Sequence, residues 1–188
     1  MLGQEFLDEI TRLLDEAEYC YETIVLPNWC SEKRHGFPDI LFGLVMGVMS
    51  RVDIVSQHFD NSNLKQTPKM VSFLNKYVKN HDEFNTALIQ IWRHQLMHTS
   101  APREVIDETT NITYRWLLHW KEHLPREQHY TFVIHNNTKI LNIGLIYLIE
   151  QLKYAITNYL RDLAIDSRLQ NNYEERKNRL EAIRKKIT

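Results

Sequence analysis

Pro38-Asp39-Ile40-Leu41-Phe42-Gly43-Leu44-Val45-Met46-Gly47-Val48-Met49 is apolar at nearly every position, and the run continues to Phe59 with few charges. A helix-length segment that is apolar nearly all round has to be covered on several sides, so it reads as the central element of a helical protein. Pro38 suits its first turn, where a missing N–H is no loss. Working outward, Leu2, Phe6, Ile10, Leu13, Leu14 and Ala17 recur at helical spacing and predict an amphipathic helix to about Glu22. A loop is expected from Pro27 to Pro38. Thr67-Pro68 predicts a short third helix. Asn80 and Glu83 have capping-box spacing for a fourth helix starting near 81, which Pro102 limits to about Thr99.

After residue 110 the period changes. Ile112, Tyr114, Trp116, Leu118 and Trp120 alternate, which leaves 112–121 open between strand and helix. His129 to Ile134 and Thr138 to Ile143 flank Asn136-Asn137, a pair that tolerates positive φ, so a β-hairpin is expected. Beyond Gly144, the stripe Leu145, Ile149, Leu152, Ile156, Tyr159, Leu160 and Leu163 predicts a long helix that closes the core. Asn171-Asn172 is expected to interrupt the chain before a charged helical tail over 171–188. The fold expected is mainly α. It is a single domain over 1–188, a helical bundle with a small β-hairpin appendage, about 110–143, between the fourth helix and the last long one.

Bulk properties narrow the function. A chain of 188 residues is long enough to bury a core in one domain. Its net charge of −1 gives no global basic field, so any nucleic-acid contact has to be local. The tail carries Arg176, Lys177, Arg179, Arg184, Lys185 and Lys186, which fits either a solvated helix or an RNA-contacting arm. Cys20 and Cys30 form no disulfide framework and suit a reducing cytoplasm. No secretory leader pattern is visible, and no apolar run approaches about 18 residues, so a cytoplasmic protein with no membrane partner is expected.

The chemistry-bearing residues gather in the fourth helix as Arg93-His94-Gln95-Leu96-Met97-His98. Arg51 and His58 match a loose Arg-to-His spacing, but Val52 follows Arg51. The strict form, with Asn, Asp or His after the Arg and a fixed spacing, is expected only about 0.1 times by chance in this composition. On an ideal helix Arg93 and His98 lie about 140° apart. Either the last turn departs from α geometry or side chains from two helices converge. One purely structural reading pairs Arg93 with a carboxylate and leaves both histidines hydrogen-bonded near a helix C-terminus.

The string reads R-[N/D/H]-x3-H and resembles the signature of the HEPN superfamily of small helical ribonucleases and RNA-handling modules. The resemblance implies a homodimer in which paired motifs form one composite cleft. It also implies RNA as substrate and metal-independent attack by the 2′-hydroxyl, leaving a cyclic phosphate. Arg93 would bring a planar, permanently charged fork to the phosphate. His98, titrating near neutrality, would move the proton. His94, where the family places a polar residue, would orient substrate or partner groups. No cofactor and no metal are expected. A toxin or defence effector is the setting this suggests, with an antitoxin or regulatory protein as partner. The alternative is a non-catalytic helical dimer that binds RNA, nucleotide or a protein partner. A rival chemical reading takes His94 and His98 as a zinc pair at HExxH spacing, but Gln95 stands where the general base is needed. His119, His123, His129 and His135 show no ligand spacing. Trp92, Trp116 and Trp120 suit core packing better than base stacking. Tyr114 and Arg115 are only weak candidates for lining a cleft.

Overall fold

The amphipathic stripes become helices in the computed structural model, which describes residues 2–29, 37–78, 81–92, 104–119 and 125–187. Helix α1 (Gln4–Cys20) buries Leu7, Ile10 and Leu14. Gly3 precedes it at φ 72°, and a Cβ there would come within 2.9 Å of Leu163, so the position needs glycine. The helix runs on through a wider π turn, Tyr21–Val25, into α2 (Leu26–Trp29), past its expected end and into the expected loop. Helix α3 (Phe37–Phe59) buries Val45, Val48, Met49, Val52 and Val55 at helical spacing. Its Gly43 is nevertheless exposed, so it is covered on several sides but not all round.

Helices α4 (Gln66–Tyr77) and α5 (Asp82–Gln90) follow. The long closing helix is α6 (Leu145–Leu163), then α7 (Ser167–Ile187). Where these helices meet, Phe59, Phe73, Tyr77 and Tyr159 form an aromatic cluster. Phe59 and Phe73 meet edge-on at 5.8 Å, as do Phe73 and Tyr159 at 6.0 Å. Each such pair adds about 1 kcal/mol beyond the area it buries.

Two further expectations change. The break before the tail falls at Ala164–Asp166 and not at Asn171-Asn172, because Asp166 Oδ1 accepts the N–H groups of Arg168 (2.9 Å) and Leu169 (3.2 Å) and caps α7. Asn172 stays helical, and its Nδ2 donates to the Phe59 carbonyl at 2.8 Å, satisfying the end of α3. The β region is also larger than a hairpin. Strands β1 (Val105–Asp107), β2 (Ile112–His119), β3 (Thr131–His135) and β4 (Thr138–Gly144) form one sheet in the order β1-β2-β4-β3. β3 and β4 pair antiparallel across Asn136 at φ 52°, whereas β2 and β4 run parallel, with Trp116 opposite Leu141. Trp116, Leu141 and Ile143 turn inward and are buried. The whole is mainly α. Among the described residues no helix is long and apolar enough to cross a membrane.

His58, near the end of α3, is 4% exposed, with its ring 4.5 Å from Phe6 and 5.0 Å from Tyr173. Burial, and then the nearby Arg176 guanidinium, lower its pKa from 6.5 to about 4. Below pH 6.5 the unfolded chain therefore binds the proton that the folded chain refuses. Stability should fall as pH drops from 6.5 towards 4, by about 3 kcal/mol in all. Urea unfolding at pH 7 and pH 4.5 checks this. His58→Leu should lose less stability over that interval than the parent, and equal losses would remove His58 as the cause.

Candidate functional site

Arg93, His94 and His98 lie outside the described residues, as do Asn80, Cys30, Trp120 and His123. Both flanks of the motif are described. Helix α5 leads to it, and α geometry gives way to π geometry at Ile91 and Trp92, the last described residues before Arg93. Such π turns are rare and gather at functional sites. On the far side of the motif, Glu104 accepts from Arg115 Nε at 2.8 Å.

Three consecutive α5 residues hold that helix to the sheet, because steps of about 100° send each to a different element. Glu83 accepts from Tyr114 Oη on β2 at 2.9 Å and from Lys139 Nζ on β4. Phe84 stacks on Phe132 of β3 with ring centroids 4.3 Å apart. Asn85, fully buried, accepts from Tyr130 Oη at 2.8 Å. Its own Nδ2 donates to Asn75 Oδ1 at 2.5 Å, and Asn75 Nδ2 donates to Asp82 Oδ1 at 2.9 Å. The relay ties sheet, α5 and α4 together. Glu83 Oε1 thus bonds to the sheet, while Asn80, its expected capping partner, lies outside the described residues. Leu88 and Ile89 on α5 and Ile91 just beyond it are wholly buried, so α5 is covered within the chain, by α4 and by the sheet.

Between α5 and the β1–β2 edge lies a cleft of about 430 Å³, lined by Asp82, Glu83, Thr86, Ala87 and Gln90 and by Val105, Ile106, Asp107 and Tyr114. The Lys139 hydrogen bond, opposed in part by burial, holds the Glu83 carboxyl below its ordinary range. Burial, then Glu83, push the Tyr114 hydroxyl up to about 12, so it stays a donor at neutral pH. Asp107 accepts the Thr109 and Thr110 N–H groups, and the Thr110 side chain, followed by the Thr109 N–H, lowers its pKa. The cleft thus offers carboxylates, the Thr86 and Tyr114 hydroxyls and the Gln90 amide, a lining that favours hydrogen-bond donors over phosphate.

The other sequence candidates disperse. Trp92 and Trp116 are core residues, 2% and 7% exposed, which removes them as base-stacking surfaces. His119 Nε2 meets Asn142 Oδ1 at 3.1 Å. His129 Nδ1 accepts the Gly144 N–H at 3.0 Å while Nε2 lies 2.9 Å from Gln151 Oε1, a pattern that fits the neutral Nε2–H tautomer. No group of three or more His, Cys, Asp or Glu suited to a metal ion occurs among the described residues. Tyr114, set aside at the level of sequence, lines the cleft. Its alternation on β2 marked an inward face but not what that face would meet. Compared with known protein families, with curated proteins and with solved structures, the chain matches none.

Proposed function

We propose that this chain is a HEPN-type, metal-independent endoribonuclease acting in the cytoplasm as a homodimer. In this reading a helical bundle carries the sheet as an appendage between the motif helix and the closing helices. Arg93 stabilises charge on the phosphate, His98 transfers the proton to or from the 2′-hydroxyl or the leaving oxygen, and His94 orients the substrate. The motif carries the reading, supported by the π turn at Ile91 and Trp92 just before it, a geometry that gathers at functional sites. A toxin or defence effector held by an antitoxin or regulatory protein is the proposed setting. Because α5 is covered within the chain by α4 and by the sheet, the dimer rests on the resemblance.

A second reading is a non-catalytic helical dimer that binds RNA, nucleotide or a protein partner, and of these the acidic lining of the cleft favours the protein partner. Incubating purified protein with total RNA in excess EDTA separates the two. Cleavage should survive chelation and leave 2′,3′-cyclic phosphate ends, and a DNA of the same sequence should stay intact. Intact RNA at high protein concentration would favour the binding module. Activity lost on chelation and restored by zinc would reassign His94 and His98 as ligands.

A further inference from the structure

Helix α7 carries one apolar stripe along its length, but only half of it is covered. Leu169 and Tyr173 are 0% and 6% exposed and face the body of the protein. Arg176, next on the stripe, donates through Nη2 to Gln57 of α3. Beyond it every residue from 177 to 183 is exposed, yet the stripe continues, with Leu180 at 38% and Ile183 at 52% exposure. The spacing 169, 173, 176, 180, 183 alternates four and three, the repeat by which one helix packs along another. By spacing alone Ile187 would extend it.

The charges around this stripe are sorted. At about 100° per residue, Lys177 and Arg179 flank it on opposite sides, whereas Glu174, Glu175 and Glu181 fall on the far face. Arg179 reaches back to Glu175 only at 3.8 Å, a weak surface pair. In sequence Arg184 and Lys186 continue the basic flanks. We infer that the exposed half of α7 is a docking face for an amphipathic helix of another protein, one with an apolar stripe and acidic flanks. A second copy of α7 fits poorly, because its flanks would set base against base. The acidic α1 of a second copy has already buried its apolar face, Leu7, Ile10 and Leu14. RNA would use the bases but leave Leu180 and Ile183 in water. A membrane would find two aliphatic side chains, far less than a stable interfacial helix buries.

The probe is a labelled synthetic peptide of three heptads with Leu and Ile on its stripe and Glu on both flanks. It is titrated with the whole protein beside a control peptide carrying Lys at those flanks. The Glu peptide should bind saturably and the Lys peptide should not. Binding of the Glu peptide should weaken at least about tenfold in Leu180→Asp/Ile183→Asp and, independently, in Lys177→Glu/Arg179→Glu. All four residues are exposed, so circular dichroism should show helix content unchanged. Should the Asp pair unwind the helix, Leu180→Gln/Ile183→Gln repeats the test. The proposal is overturned by absence of saturation at several hundred micromolar, or by equal binding of the two peptides. It is also overturned if single-stranded RNA or phosphatidylserine vesicles bind this helix while the Glu peptide does not. Self-association in sedimentation velocity that Leu180→Asp/Ile183→Asp abolishes would assign the face to a second copy and overturn it as well.

Discussion

Arg93→Ala and His98→Ala are each expected to reduce RNA cleavage by about a hundredfold to a thousandfold or more while the melting temperature changes little. The arginine acts where charge builds up during the reaction. Removing such a preorganised donor costs about 3–4 kcal/mol in the barrier, and little in the ground state. The histidine carries proton transfer, commonly a factor of about 10²–10⁴. Arg93→Lys keeps the charge but loses the planar fork, so it should recover only part of the rate. The purely structural reading predicts the opposite pattern, with thermal stability lost in the alanine variants and no cleavage by the parent protein. Single-turnover cleavage of a labelled RNA, read beside thermal melts of the same preparations, distinguishes them. Growth of the expressing host gives a second readout, since a toxic ribonuclease slows it and the double variant should relieve the effect.

The parts of the molecule legible in the sequence are those fixed by local periodicity. The stripe from Leu145 to Leu163 is a 3.6-residue pattern, and it forms α6 over those bounds. Asn136 takes the positive φ that an asparagine turn suggests. What escaped depends on partners distant in sequence. The parallel pairing of β2 with β4 leaves no local mark, because each strand pattern is compatible with either direction. Asn171-Asn172 looks like a breaker until the Phe59 carbonyl is seen accepting from Asn172. The site divides in the same way. Arg93, His94 and His98 stand out in sequence because they are adjacent. The neighbouring cleft draws Thr86 and Gln90 from α5, Ile106 from β1 and Tyr114 from β2, and only the fold brings these together.

Asn85 is the residue through which that fold should fail most sharply. A fully buried asparagine in a short helix looks like a defect in the core, and its neighbours explain it. It receives the Tyr130 hydroxyl and donates to Asn75, so one side chain satisfies partners on the sheet side and on α4. Burial pushes the Tyr130 pKa well above its ordinary value, so the phenol stays protonated and needs an acceptor at every pH where the protein folds. Tyr130 is also held at φ 62°, a left-handed conformation that costs a bulky residue about 1–3 kcal/mol and persists only where surrounding contacts hold it. Asn85→Ala strands a buried donor and an acceptor and opens a small void, and it should cost about 4 kcal/mol. That is a large share of the 5–15 kcal/mol typical of a domain. Tyr130→Phe removes only the donor and should cost about 1–2 kcal/mol. Asn85→Ala/Tyr130→Phe should be more stable than the two single losses sum to, because the second change deletes the group that the first left unsatisfied. Urea unfolding of the four proteins closes this cycle. Simple additivity would mean that the hydrogen bond does not hold α5 against the sheet, and the register of everything α5 leads into would need another cause.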